Sequence, residues 1–359
     1  MARICFLADA DSIHTRKWVD YFSRLNNEIY LISMRGTNYA YQDNVKVIVV
    51  KPPFNSKLAY FTILLKIKSI VKSIKPDILH SHYATSYGLY GRISGYHPFI
   101  ISVWGSDVYE FPKASSINAK LLKFILNGAD AVCSTSVDMA NETKKYYKKE
   151  NITITPFGVD INKFNIKMPV LSNDYITIGV IKNLHKIYGI KYLIQAFSGL
   201  LNDTAKNLKL MVVGDGPERS NLEKLCSDLN ISEYVEFTGN VDNVDVPDYI
   251  NKMDIVCIPS LSESFGVSAV EACACGRPVV CTNVGGLKEI VFDDCNGYKV
   301  NPKDSTALKN KLKLLVEDEK KLKLFSGNAV RIAQEKYDWK HNAEIMNELY
   351  KKILNRGKN

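Results

Sequence analysis

The sequence predicts an α/β protein built from two parallel-sheet domains, and three observations carry that reading. Short apolar runs alternate with amphipathic helical patterns from end to end, the mark of βαβ units. The pattern stops near residue 165 and restarts after residue 170. The length of 359 residues is too great for one ordinary α/β domain and comfortable for two.

The first strand is read at Ile4–Ala8, where Ile-Cys-Phe-Leu-Ala is fully apolar and bounded by Asp9 and Asp11. Those acids stand where a leader peptide would need small neutral residues, so the start is expected to be a buried strand and not a signal peptide. Further strands are expected at Glu28–Ser33, Val45–Val49, Asp77–His80, Phe99–Val103, Ala131–Ser134 and Ile152–Pro156. Helices fall between them at His14–Leu25, Lys57–Lys75 and Ile117–Asn127, each with apolar residues at helical spacing. Asn162–Asp174 has neither period and contains Pro169, Ser172 and Asn173, so it reads as a linker. Strands resume at Tyr175–Val180, Leu208–Val213, Tyr234–Phe237, Asp254–Ile258 and Pro278–Thr282. From Ser305 the chain reads as helix without strands. The expected domains are therefore 1–165 and 175–335, with a final helix at 336–359 packing back toward the first domain.

Composition narrows the function classes. The hydrophobic fraction of 46% and charged fraction of 24% are those of soluble globular proteins, and no apolar run is long enough to span a bilayer. The 8 cysteines form no CxxC pair and sit mostly in apolar runs, so they read as small buried thiols in a reducing, cytoplasmic setting. Cys273 and Cys275 do not have the spacing of a redox or metal pair. Residues 1–165 hold 21 Lys+Arg against 13 Asp+Glu, whereas residues 166–359 hold the remaining 26 and 25. A half with a balance of +8 beside a half at +1 suggests that the first domain meets something anionic.

Open parallel sheets bind ligands at the carboxyl ends of their strands, so the loops after strands come under suspicion first. The richest is Pro259-Ser-Leu-Ser-Glu263-Ser-Phe265-Gly266-Val267-Ser-Ala-Val-Glu271-Ala-Cys-Ala-Cys-Gly276-Arg-Pro278. A strand ends at Ile258 and a helix opens near Gly266, where free backbone N–H groups and the dipole favour a diphosphate. Gly266 would allow close approach of that ligand. Glu263 and Glu271 would repel phosphate, and so are better suited to accepting hydrogen bonds from sugar and ribose hydroxyls. The bland alternative makes Glu263 a helix-start charge and Glu271 a solvated face. Glu271 resists it, because Ala and Cys surround it and a buried carboxylate needs partners.

This run resembles the signature of the retaining glycosyltransferase family 4, the glycosyl transferases group 1, which has a Glu, seven residues, a second Glu and then Ala-Cys-Gly-x-Pro-Val. Gly214-Asp-Gly216-Pro, Phe237-Thr-Gly239-Asn, Pro259-Ser260 and Val284-Gly285-Gly286-Leu-Lys-Glu289-Ile match in the same order, and Pro156-Phe-Gly158-Val-Asp160 and Asp77-Ile-Leu-His80-Ser-His82 more loosely. The resemblance implies the GT-B fold, two Rossmann-like domains facing across a cleft. It also implies transfer of a sugar from a nucleoside diphosphate sugar, UDP-, GDP- or similar, to an acceptor hydroxyl with the anomeric configuration retained. No cofactor or metal is expected, and the acceptor would be a glycan or lipid-linked molecule of polysaccharide, O-antigen, capsule or glycolipid synthesis. On this reading Glu263 meets donor-sugar hydroxyls, Glu271 holds the ribose, and the amides of Phe265, Gly266 and Val267 bind the diphosphate, with Gly214 and Gly239 lining the donor site. The family's Arg and Lys before a Gly are replaced here. Lys182 takes the first position, and the second falls to Lys186 or to the neutral Tyr188. A cation near the leaving phosphate is required where no metal is used.

In the first domain, Trp104-Gly-Ser-Asp107 follows a strand. Many relatives have His where Trp104 stands. Asp107 would receive an acceptor hydroxyl or orient the loop, and Ser12, His14 and Trp104 are the acceptor-side candidates. His80 and His82 alternate along a strand and read as core or supporting residues. Helix Lys57–Lys75, Lys120, Lys123 and Lys144–Lys149 offer a basic surface for an anionic membrane at the inner face of the plasma membrane, against the bland reading of solvated helix edges. No specific nucleic-acid partner is expected. Three rival functions share some of these features. Gly214-Asp-Gly216 after a strand opens a dinucleotide fingerprint, but Arg219 stands where its third glycine belongs. A sugar-nucleotide isomerase or epimerase would share the architecture. A non-catalytic lipid or nucleic-acid binder would leave Glu263 and Glu271 without a purpose.

Overall fold

The computed structural model describes residues 1–51, 59–149 and 151–356. Two compact units make up the chain: Met1–Pro156 together with Ala343–Asn359, and Phe157–Asn342.

The first unit is a seven-stranded parallel sheet in the order β3-β2-β1-β4-β5-β6-β7. Its elements are β1 (Arg3–Leu7), α1 (Ile13–Arg24), β2 (Glu28–Ser33), β3 (Val45–Val49), α2 (Ala59–Ile74), β4 (Ile78–His82), α3 (Ser86–Ser94), β5 (Phe99–Val103), α4 (Ser106–Tyr109), α5 (Ser116–Leu126), β6 (Ala131–Ser134), α6 (Val137–Thr143) and β7 (Ile152–Ile154). β4 and β5 are buried at every position; β5, Phe-Ile-Ile-Ser-Val, reads as a nearly continuous apolar run for that reason, whereas β4 takes His80, Ser81 and His82 into the interior. Helices α2, α3 and α5 share one core on one face of the sheet through Val71, Tyr87 and Leu122. Lys57 and Leu58, expected to open α2, lie outside the described residues.

The second unit is a six-stranded parallel sheet in the order β10-β9-β8-β11-β12-β13. It comprises β8 (Ile176–Ile181), α7 (Ile190–Asp203), β9 (Leu208–Val213), α8 (Arg219–Asp228), β10 (Val235–Gly239), α9 (Val246–Asn251), β11 (Ile255–Ile258), α10 (Val267–Ala274), β12 (Val279–Thr282), α11 (Leu287–Ile290), β13 (Gly297–Val300), α12 (Ser305–Val316) and α13 (Glu319–Tyr337). The sequence reading missed β13. Four residues with glycine first and Lys299 within are too short and too mixed to show a period, and tertiary pairing with β12 makes the strand.

The last helix, α14 (Trp339–Arg356), groups with the first unit from Ala343 onward. There Tyr350 stacks on Phe22 of α1 at 4.6 Å. The stretch read as a linker is irregular but firmly held by the second unit. Asn251 accepts from the Lys167 amide at 2.8 Å, Asp254 accepts from the Leu171 amide at 2.5 Å, and the buried Arg277 guanidinium donates to Asn251 at 3.1 Å. Its polar backbone is satisfied by side chains far along the sequence, a pattern that no local signal announces.

Candidate functional site

In the second unit the strand order reverses between β8 and β11, and ligands of open α/β sheets bind outside the carboxyl ends at such a point. Lys182 directly follows β8, and β11 leads into the loop that carries Glu263. The two side chains meet: Lys182 Nζ donates to Glu263 Oε2 at 2.6 Å, with only 13% and 11% of the side chains exposed. Ser260 Oγ donates to the same oxygen at 3.4 Å, and the ring of Tyr188 lies 4.9 Å from the Lys182 ammonium. A short, charge-assisted bond between nearly buried partners fixes both groups, and removing either strands the other.

The loop from Pro259 to Gly266 is clamped on two sides. Thr282 Oγ1 donates to the Ser260 carbonyl at 2.5 Å, and the Leu261 amide donates to the Ile187 carbonyl at 2.7 Å. Gly285, at φ +50°, packs so closely that a Cβ there would stand 1.5 Å from the Glu263 carbonyl oxygen. Only glycine fits, and the Gly285–Gly286 turn therefore sets the height of the loop that presents Glu263.

Gly266 caps α10 in the left-handed region, with φ 102° and ψ 51°, and as a glycine it contributes no side-chain cap of its own. The sequence reading gave this glycine the task of admitting a ligand. The direction a Cβ would take is instead filled by Leu287, 2.7 Å away, so backbone conformation and packing against α11 require the glycine. Phe265 turns its ring into the core between Phe157 and Tyr337, with centroids at 6.1 and 5.8 Å, which leaves its backbone for any outward contact. Along α10 every residue is buried except Val267 and Glu271, which are half-buried. Four residues apart, they share the accessible face of the helix.

The remaining candidates of this unit lie at the same sheet edge. The Gly214 amide donates to the Gly239 carbonyl at 2.9 Å, joining the ends of β9 and β10. Arg219 pairs with Asp215 at 3.0 Å and Glu223 at 2.8 Å. The Gly216 amide and then Arg219 hold the Asp215 carboxyl below the usual carboxylate range. Lys186 points elsewhere from Lys182: it is 85% exposed and 4.0 Å from Glu218. Tyr188, the alternative at the second cation position, lies against Lys182. Neither Tyr188 nor the Gly285 clamp was legible as a support of the charged pair, although both positions stand in recognisable motifs.

In the first unit the order reverses between β1 and β4, and the acceptor-side candidates gather at that edge. Ser12 precedes α1 without capping it through its side chain. The His14 ring lies 5.8 Å from Trp104, and Trp104 lies 4.8 Å from His82. Burial and then Lys17 push the His14 imidazole down to about 4. His80 is buried between Ser102 at 2.9 Å and Tyr350 at 2.5 Å, and burial lowers it to about 3. His82 is buried with no hydrogen-bond partner on either ring nitrogen among the described residues, and burial holds it well below the usual histidine range. Asp107 is fully buried and accepts from the amides of Gly105 at 2.7 Å, Ala84 at 2.8 Å and Trp104 at 3.2 Å. Of the two roles open to it from sequence, this geometry fits the one that orients the Trp104 loop. Burial raises its carboxyl against the pull of those amides.

The eight cysteines are all free, and burial pushes the Cys273 and Cys275 thiols up to about 12, far from reactive thiolates. Among the described residues no three His, Cys, Asp or Glu groups are placed to hold a metal, and no described helix is long and apolar enough to cross a membrane.

Comparison with known proteins identifies the family and the fold. Residues 162–331 match the family model of glycosyl transferases group 1, and residues 3–136 match that of glycosyl transferase 4-like proteins. The chain is 28% identical over 284 residues to N-acetyl-alpha-D-glucosaminyl L-malate synthase of Bacillus anthracis, covering 75% of this chain and 71% of that one. It is 25% identical to the capsular polysaccharide biosynthesis glycosyltransferase CapM of Staphylococcus aureus, covering 94% and 93%. Its fold is similar to that of sucrose-phosphate synthase from Thermosynechococcus elongatus, with TM-score 0.85, 19% identity and coverage of 99% and 100%. It is also similar to Anabaena HepE in complex with UDP and glucose, with TM-score 0.81, 20% identity and coverage of 98% and 100%. The chain belongs to the glycosyl transferases group 1, the family 4 glycosyltransferases of GT-B fold.

Proposed function

We propose that this glycosyltransferase moves a sugar from a nucleoside diphosphate sugar to an acceptor hydroxyl with retention of the anomeric configuration and without a metal. The observation that carries the reading is the Lys182–Glu263 pair, 2.6 Å apart at the switch point of the second sheet. An ammonium held there is positioned to neutralise a leaving diphosphate, and the carboxylate keeps it in place until the donor arrives. Glu263 then exchanges part of that bond for hydroxyls of the donor sugar. The backbone of Phe265, Gly266 and Val267 at the start of α10 receives the diphosphate, and Glu271, on the same accessible face as Val267, receives the ribose. Gly214 and Gly239 line the nucleotide side. The departing phosphate itself takes the acceptor's proton as attack occurs on the face it leaves.

In the first unit, Ser12, His14 and Trp104 face the acceptor, and Asp107 acts on it only by holding the Trp104 loop. Of the relatives named above, the capsular polysaccharide enzyme CapM supports a glycan or lipid-linked acceptor. A uridine donor is the first to test, since Anabaena HepE was solved with UDP and glucose. The charge of residues 1–165 supports a cytoplasmic enzyme that works peripherally at an anionic membrane.

Lys182→Ala and Glu263→Gln should each lower kcat/KM by about 10²–10³, the cost of losing one preorganised electrostatic contact, with unchanged circular dichroism. Full turnover in both variants would remove this site from the reaction.

A further inference from the structure

Helices α2, α3 and α5 lie side by side on one face of the first sheet, α3 touching both of the others. Their sequences contain six cations (Lys66, Lys68, Lys72, Arg92, Lys120 and Lys123) and not one Asp or Glu. An ordinary solvated face mixes both signs, because a field of one sign repels itself. The same face also leaves large apolar side chains in water: Leu65 is 77% exposed, Ile117 74% and Phe124 49%. Scattered singly over a surface such residues mean little; gathered on three adjoining helices that carry no acid they mark a contact. On α5, Ile117 and Phe124 stand seven residues apart with Lys120 and Lys123 between them, so helical spacing puts apolar groups and ammonium groups on adjoining stripes. Arg92 of α3 lies 4.7 Å over the Phe124 ring. The lysine-rich segment after α6 is bound to the end of α5, where Asn127 donates to the Tyr146 carbonyl and accepts from the Lys148 amide, both at 2.9 Å. Lys144 and Lys148 therefore extend the basic field at that end.

We infer that this face is a lipid-docking surface, with α5 lying in the headgroup layer of an anionic bilayer, Ile117 and Phe124 inserted and Lys120 and Lys123 on the lipid phosphates. The inference deepens the peripheral placement proposed above and rests on it, while the donor site enters nowhere. Phosphate alone would explain the lysines. The apolar groups beside them call for a partner with hydrocarbon directly beneath its charges, which a bilayer has and a nucleic-acid backbone lacks.

The test is co-sedimentation of the full chain with vesicles of phosphatidylcholine, with and without an equal share of phosphatidylglycerol. Binding to the anionic vesicles alone is expected, and part of it should survive high salt because the apolar component is not screened. Replacing Ile117→Ser and Phe124→Ser together should weaken vesicle binding by about tenfold or more. Lys120→Glu with Lys123→Glu should weaken it at low salt. Both exposed pairs leave the core intact, and donor turnover in solution should be unchanged in both. Three results would overturn the inference: no binding to anionic vesicles, undiminished binding of the serine variant, or a DNA duplex that binds as tightly and is insensitive to Ile117 and Phe124.

Discussion

The two units share an architecture and differ in what their sheet edges offer. In the second, the edge holds a nearly buried charged pair, with its loop clamped by glycine contacts and side-chain bonds to carbonyls. In the first, the corresponding edge presents histidines held neutral by burial and an indole, and the buried carboxylate of Asp107 is occupied by amides of its own loops. The contrast teaches where a shared chemistry is written. On the proposed reading the second unit meets a diphosphate that every such donor shares, which demands fixed backbone and fixed charge, and its loops are dense in motif. An acceptor varies from enzyme to enzyme, and the first unit carries few recognisable signals.

The sharpest way to break this comparison is to place the same substitution in both units. Gly285→Ala must resolve a Cβ 1.5 Å from the Glu263 carbonyl as well as a left-handed backbone, so it should cost about 3 kcal/mol or more and abolish turnover. Gly95→Ala has φ +66° but nothing within 4 Å, so only the backbone term remains, about 1–2 kcal/mol, with activity kept. Denaturant midpoints and turnover of the two variants decide it. Equal effects would mean that the clamp is not special.

A second probe uses acid. His14, His80 and His82 all titrate in the folded first unit below the ordinary histidine value of 6.5, at about 4, about 3 and well below it. A depressed histidine binds its proton more readily when unfolded. The stability it contributes is therefore full above pH 6.5 and is lost as pH falls from 6.5 through the folded values. The histidines of the second unit, His185 and His341, are exposed. Hydrogen exchange between pH 6.5 and 4 should show the first unit losing protection before the second. Simultaneous loss would contradict the assignment of burial to these imidazoles.

Much of the fold was legible because most of the parallel strands are apolar runs, whether buried as in Phe99–Val103 or less covered at the sheet edge as in Val45–Val49. Glu28–Ser33, Val45–Val49, Phe99–Val103, Ala131–Ser134 and Leu208–Val213 stand where the sequence puts them. β13 was not legible, since pairing and not pattern makes it a strand. At the candidate site, the sequence singles out Lys182 and Glu263 separately, but they lie 81 residues apart and nothing local shows that they bond. The glycines were visible as motif, while their reasons were not. Gly266 answers to Leu287 and Gly285 to Glu263, contacts that exist only once β11 and β12 lie side by side. Asp107 illustrates the converse: a carboxylate after a strand is a fair catalytic candidate until its burial and amide partners are seen.

The smallest expected effect belongs to Lys186, and it frames the most direct test of the account. Calorimetric titration of UDP into the wild-type protein, Lys182→Ala and Lys186→Ala compares the buried cation with the exposed one. Loss of a charge-assisted contact at Lys182 should weaken binding by about ten- to a hundredfold. Lys186, 85% exposed and loosely paired, should matter by less than about threefold. A Lys182 variant that binds UDP as well as wild type, or a Lys186 variant that loses more, would place the diphosphate away from the pair on which this account rests.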